Sequence, residues 1–562
     1  MKIIFQLALP WLLLPHAGRA QYVIEDSILL KTPDGATLSV MVVRKKDAKE
    51  PVPAVLYFTI YTNPPRYLKE AMLVADRGYV SVTAEARGKR LSTDTITPYE
   101  HEARDVNVVI DWISKQPWCN GSVGMYGGSY VGFAQWAATK YLHPALKTIV
   151  PYVAAIPGQG LPMENNVFLN ANYQWAFYVT HNKYLDTVVN NDWQRWKRMR
   201  DNWFSTGVAY RSIDSIDGEP NPLLQRWLQH PAYDAYWQAM VPYKEDFSRI
   251  NIPVLTIEGY YDDGQISGLH YMREHLKYNK HATHYLVIGP YDHFGTQTGG
   301  KAVLRGYTVD TVALIDTREI TFQWLDYILR GGPKPAILKD KVNYEVMGAN
   351  EWRHAPSLEK MSDTTLTFYL SDNHHLVNKK PGRKGAVLQV VNLADRNNFN
   401  NNYYPDPIIR NQPGGQTGLY YISEPFDKPI VVNGAFYGKL RAVINKKDMN
   451  IGVTLYEVTP GGQYFELSYF LGCASYAKDP THRQLLQPGS LADIPFTETR
   501  LVSRQLSKGS RLLVMLDIDK NPFAAINYGT GKDVSRETIA DAGAPLQIHW
   551  QNDSYICIPI AR

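Results

Sequence analysis

Ser129, Asp262 and His293 are residue types that together can turn a hydroxyl into a nucleophile, and each stands just past a short apolar run. A serine needs a base to take its proton, and the base needs a carboxylate to orient it. In GMYGGSYVGFAQWAATK, Val123 and Met125 end an apolar run, and Gly127 and Gly128 permit a sharp turn. Beyond the serine, Phe133, Trp136 and Ala137 form a helical face. Such a turn exposes the serine at the head of a helix, whose dipole favours developing negative charge. A G-x-S triplet alone carries little weight, since average usage gives about two or three by chance in a chain this long. The general elbow is G-x-S-x-G, whereas here Val131 holds the last place and glycine follows at Gly132. His293, in IGPYDHFG, differs from most of the fifteen histidines in directly following a strand-like run, as does Asp262 in EGYYDDG. The chain order Ser, Asp, His is that of α/β-hydrolases. Asp263 rivals Asp262 by spacing, and Asp292 is badly aimed as a neighbour of the histidine, so geometry has to choose. An oxyanion needs two donors. One is the backbone N–H of Tyr130, the residue after the nucleophile, and Tyr61 in FTIYTNP ends an early strand where a second is expected.

These residues require a parallel sheet to hold them. Ala54 to Ile60 and Gly78 to Ala84 predict buried strands, and Val106, Val109, Ile110 and Ile113 recur at helical spacing. The strand rhythm returns at Ile252 to Glu258 and Tyr285 to Ile288, so Asp262 and His293 fall at the C-terminal edge where such sheets place their sites. Between the two blocks lies an aromatic-rich segment with Trp175, Trp193, Trp196, Trp203, Trp227 and Trp237, which either lids a site or fills a core of its own. After about Glu345, runs such as TLTFYL, KLRAVI and RLLVMLDI between Pro and Gly turns predict an all-β sandwich or jelly roll.

The chain has 562 residues, 44% apolar and 20% charged, which excludes wholesale disorder and predicts two or three domains. Residues 1–20 carry Lys2, an apolar stretch from Ile3 to Leu14, and Gly18 and Ala20 at the cleavage-site places. They predict a signal peptide cut before Gln21, and so a periplasmic or secreted protein. Pro10, Pro15 and His16 break the run too early for a membrane span, and no cysteine follows it to accept a lipid. The net charge of +5 falls to +3 once Lys2 and Arg19 are removed, which gives no basis for nucleic acid or an anionic membrane as partner. Cys119, Cys473 and Cys557 are too few for a disulfide scaffold or a zinc site, and all three read as structural, although Cys473 and Cys557 could pair in an oxidising compartment.

The segments TIYTNP, GYVSVTAEARG, WCNGSVGMYGGSYVGFAQW, HPALKTIVP, GYYDDG, IGPYDHFG, NYGTGKDVSRETIADA and LQIHWQNDSYICIPI resemble, over nearly all of the mature chain, one α/β-hydrolase family. It comprises cocaine esterase, the α-amino acid ester hydrolases, glutaryl-7-aminocephalosporanic acid acylase and the Xaa-Pro dipeptidyl-peptidases (the CocE/NonD type). Its elbow is G-x-S-Y-x-G, which Gly127, Ser129, Tyr130 and Gly132 satisfy. The resemblance implies a hydrolase core at 21–156 and 246–345, a helical cap at 157–245 and a C-terminal jelly roll at 346–562. It further implies Ser129 as nucleophile, Asp262 as orienting acid, His293 as base, Tyr61 and Tyr130 as oxyanion donors, and no metal or organic cofactor.

The expected activity is acyl transfer from a small ester, amide or short peptide. A dipeptidyl-peptidase or α-amino acid ester hydrolase version needs an anion for a substrate amine. The α-amino acid ester hydrolases share three carboxylates for that purpose, two just past the catalytic aspartate and one early in the cap. Here Gly264 and Gln265 follow Asp263, and Asn165 and Asn166 occupy the cap positions. Amides accept hydrogen bonds but do not neutralise an ammonium. Glu164, Asp263 and Glu258 are the remaining carboxylates, and Trp175 joins Glu164, Asn165, Asn166, Asp263 and Gln265 as a candidate pocket residue. A rival class is a non-catalytic carbohydrate binder led by the aromatics of the β domain.

Overall fold

The computed structural model describes residues 21–400, 403–415, 417–497 and 499–561, so the expected signal peptide lies outside the described residues. The chain first lays down an antiparallel pair, β1 (Tyr22–Lys31) and β2 (Thr37–Lys45). Next come β3 (Val52–Thr59), α1 (Pro64–Asp76), β4 (Val80–Glu85), α2 (Glu102–Ser114), β5 (Cys119–Gly128), α3 (Tyr130–Thr139) and β6 (Leu146–Tyr152). β3 and β4 are buried on both faces, as strands of a covered parallel sheet are, although one face of β4 carries Ser81, Thr83 and Glu85. Val106, Val109, Ile110 and Ile113 of α2 are fully buried.

After the insertion, β9 (Val254–Gly259) and β10 (His284–Gly289) rejoin the sheet, numbered after a small cap hairpin, β7 (Met163–Glu164) and β8 (Val167–Phe168). The sheet has ten strands in the order β1-β2-β4-β3-β5-β6-β9-β10, followed by Val342–Val346 and Glu351–Ala355, and β4 to Val342–Val346 is its parallel part. The core sheet therefore runs on to Ala355, past the expected boundary at 345. Glu351–Ala355 is a polar, half-exposed edge strand, and its composition hides it from a hydrophobicity reading.

The inserted segment holds α4 (Ala171–Thr180), the helix Trp193–Thr206 and shorter helical turns. Trp196, Trp203, Trp227 and Trp237 are buried in the core, while Trp193 is exposed. The C-terminal part stacks a nine-stranded and a five-stranded sheet, with antiparallel ladders throughout. One apolar cluster runs through all three parts, from Phe58 to Trp203 to Trp550. Cys473 and Cys557 lie in different sheets of that last part and all three cysteines are buried free thiols, so the pairing of Cys473 with Cys557 is not formed.

Candidate active site

Ser129 sits between β5 and α3 at φ 61° and ψ −123°, a left-handed strain of about 1–3 kcal/mol for a residue with a side chain. Neighbouring contacts hold it there. Its N–H donates to Tyr152 O at 3.1 Å, and its carbonyl accepts from Phe133 N at 2.9 Å and Ala155 N at 3.3 Å. Gly127 has φ 128°, and a Cβ there would meet Val131 at 2.5 Å; a Cβ on Gly132 would meet Tyr152 O at 2.8 Å. The close approach of α3 to β6 thus falls three residues past Ser129, and Val131 is tolerated where the general elbow has glycine.

The Ser129 Oγ lies 3.2 Å from the Tyr61 hydroxyl, just past β3. The backbone N–H of Tyr130 also bonds that hydroxyl, so phenol, amide and Oγ share one corner. Burial raises the Tyr61 pKa, opposed by its bonds to Ser129 and Trp175. Trp175 Nε1 donates to the hydroxyl at 3.3 Å and stacks on Tyr99 with ring centroids 5.4 Å apart. Tyr130 turns its own phenol inward, donating to the buried Glu102 of α2.

His293 Nδ1 is 2.7 Å from Asp262 Oδ1, whose side chain is fully buried. Asp263 Oδ1 is 3.7 Å from the same nitrogen on a half-exposed side chain, so distance and burial distinguish the two carboxylates. Asp292 Oδ1 accepts from Gly295 N at 2.7 Å, the start of the helix Gly295–Thr298. Burial opposes charge on His293, but Asp262, with Asp263 and Asp292 further out, outweighs it and holds the imidazole above its ordinary pKa. Gln297 Nε2 donates to His293 O at 2.8 Å, and a Cβ on Gly128 would meet the Gln297 side chain at 2.4 Å, so the His293 loop packs against the elbow. Such an arrangement can take a proton from a hydroxyl, attack an acyl carbon and hold an oxyanion.

The other expected pocket residues are placed differently. Gln265 is fully buried: Nε2 donates to Gly259 O, Tyr260 O and Leu501 O, and Oε1 accepts from Leu501 N, which ties the core to the C-terminal part. Asn165 and Asn166, at φ 44° and 65°, are the two-residue turn joining β7 and β8. Their side-chain amides donate to Leu471 O and to Pro231 O and Pro480 O. They border a cavity of about 330 Å³ whose lining includes Phe470 and Phe496 but neither Ser129 nor His293. Glu164 is buried in a two-pronged ion pair with Arg500, both bonds 2.9 Å. Arg500 also donates to Asp263 O at 2.7 Å and lies over Tyr469. Arg500 and Gln297 are residues that sequence reasoning missed, since Arg500 lies in another domain and Gln297 has no motif of its own. Glu258 is fully buried, and burial and the charge of Asp262 push its carboxyl well above the usual range.

Residues 34–295 match the family model of the X-Pro dipeptidyl-peptidase (S15 family), and residues 338–553 match that of the X-Pro dipeptidyl-peptidase C-terminal non-catalytic domain. Cocaine esterase of Rhodococcus sp. (strain MB1 Bresler) is 23% identical over 579 residues, covering 96% of this chain and 99% of that protein. The chain belongs to the CocE/NonD-type family of α/β-hydrolases. As a CocE/NonD-type protein it is a serine hydrolase. Solved structures share the whole CocE/NonD-type fold. An aminopeptidase from the marine sediment archaeon Thaumarchaeota archaeon has a TM-score of 0.80 at 21% identity, covering 99% of both chains. An α-amino acid ester hydrolase has 0.77 at 20%, covering 98% of this chain and all of that one.

Proposed function

We propose that the protein is an exported hydrolase that cleaves a small acyl ester or amide through an acyl-enzyme on Ser129. The observation that carries this reading is the corner where the strained Ser129 meets the Tyr61 hydroxyl at 3.2 Å, with His293 and Asp262 paired at 2.7 Å from the loops after β10 and β9. His293 takes the Ser129 proton through Nε2 as Oγ attacks the acyl carbon, and Asp262 holds the imidazole by Nδ1. The Tyr61 hydroxyl and Tyr130 N–H stabilise the oxyanion, which collapses as His293 protonates the leaving group. Water then attacks the ester, its proton passing to His293, and Ser129 is regenerated.

A second reading, an α-amino ester or a peptide with a free N-terminus, is favoured by one observation. Asp263 is a half-exposed carboxylate beside the pair, and the charges of His293 and Arg500 lower its pKa against the effect of burial. Glu164 is already neutralised by Arg500 and Glu258 is buried, so an ammonium would have Asp263 alone, and we favour the simple acyl substrate.

The test is hydrolysis of matched acyl esters with and without an α-amino group, by wild type and Ser129→Ala. The account expects Ser129→Ala to lose turnover of both and wild type to prefer the amino compound by less than about a hundredfold, roughly 2.7 kcal/mol. A larger preference supports the second reading, and turnover retained by Ser129→Ala contradicts both. Export is tested by the N-terminus of the mature protein, expected at Gln21.

A further inference from the structure

Lys89 has no exposed surface and no part in the chemistry above. It sits in the loop after β4, which Gly88 turns sharply: φ is 76° there, and a Cβ would meet Asp94 O at 2.6 Å. Lys89 N donates to Ala86 O at 3.1 Å, and Arg90, left-handed at φ 51°, donates its N–H to Lys183 O at 3.1 Å. The loop is thereby fixed against the cap, and the lysine runs into it.

Its Nζ donates to Val179 O at 2.8 Å, Asn182 O at 2.9 Å and Tyr184 O at 3.3 Å, and among the described residues it makes no ion pair. These carbonyls lie at the C-terminal end of α4 and in the turn that follows, where helix carbonyls lack partners of their own and the helix dipole is negative. An ammonium's three donors match three acceptors there, which an apolar side chain would leave orphaned. Burial draws the lysine pKa down to about 8, opposed by the charge of Glu85. A second bond ties the same turn to the core, Leu185 N to Thr62 O at 3.2 Å, and Thr62 directly follows Tyr61. One helical turn before Val179, Trp175 holds the Tyr61 hydroxyl that faces Ser129.

We propose that Lys89 is a positioning residue that clamps the end of α4 so that Trp175 keeps the Tyr61 hydroxyl aimed at the oxyanion. The proposal rests on the reading of Tyr61 as an oxyanion donor. It acts through geometry, so its loss lowers kcat and leaves KM nearly unchanged.

Lys89→Met removes all three donors, and Lys89→Gln keeps two without the charge. The account expects kcat for a simple acyl ester to fall about tenfold or more in Lys89→Met, and less in Lys89→Gln, with KM within about twofold. Trp175→Phe removes the next link, so the losses from Lys89 and Trp175 substitutions should overlap in the double variant rather than multiply. If Lys89→Met is not recovered folded, Lys89→Gln carries the same cycle. A kcat within about twofold of wild type in a folded variant, or losses that multiply, overturns the proposal. The two readings fail separately: a wild type whose Ser129 does not react with an acylating probe sinks the site, whereas a reactive wild type with Lys89 variants equally fast sinks only the clamp.

Discussion

The Tyr61 hydroxyl bonds to Ser129 before any substrate is present, so it is a donor already aimed where negative charge would form. Tyr61→Phe is expected to lower kcat by about a hundred- to a thousandfold with little change in thermal midpoint, measured on an acyl ester. Asp263 acts at longer range. The imidazole must be neutral to accept a proton, so kcat/KM should rise with pH along a limb set by His293, with its midpoint above the ordinary histidine value. Negative charge near the imidazole favours its protonated form, so Asp263→Asn should move that midpoint to lower pH; an unmoved or raised midpoint contradicts the assignment. Ser129, Asp262 and His293 were legible because each follows a recognisable strand, and the chain order matched a known chemistry. Choosing Asp262 over Asp263 on physical grounds needed 2.7 Å against 3.7 Å, which no spacing encodes.

Among the elements, the β7–β8 hairpin shows that residues expected at a pocket can also be the ones that build a turn. Asn165 and Asn166 stand between Met163–Glu164 and Val167–Phe168, and adjacent asparagines between short apolar strands are a hairpin signal. Asparagine and glycine tolerate positive φ and β-branched residues resist it. The expected order of thermal midpoints is therefore wild type at or above Asn165→Gly, and Asn165→Val clearly lowest, since it also loses the bond to Leu471 O. Equal midpoints for the glycine and valine variants would contradict this account of the turn. The core strands were readable from their apolar runs, whereas Glu351–Ala355 was not, because an edge strand needs no apolar pattern. Four of the six cap tryptophans proved to be core, and only contacts separate them from Trp175.

Across the whole molecule, the C-terminal part is joined to the site rather than appended to it. Arg500 pairs with Glu164 of the cap and bonds the backbone of Asp263, and Leu501 holds Gln265 at the head of the helix Gln265–Tyr278. Removing one partner of a buried pair strands the other charge, so Arg500→Met should cost about 3–5 kcal/mol, and adding Glu164→Gln should recover part of it. Urea denaturation followed by tryptophan fluorescence and by activity checks this, with no recovery in the double variant as the contrary result. Such long-range partners were illegible because the residues lie far apart in the chain and neither Arg500 nor Leu501 stands in a motif.

Whether Ser129 carries the acyl group is read by reaction with a fluorophosphonate followed by mass mapping. One adduct is expected in the wild type, on the peptide bearing Ser129, and none in Ser129→Ala. An adduct retained by Ser129→Ala, or wild-type labelling at another residue, would contradict it.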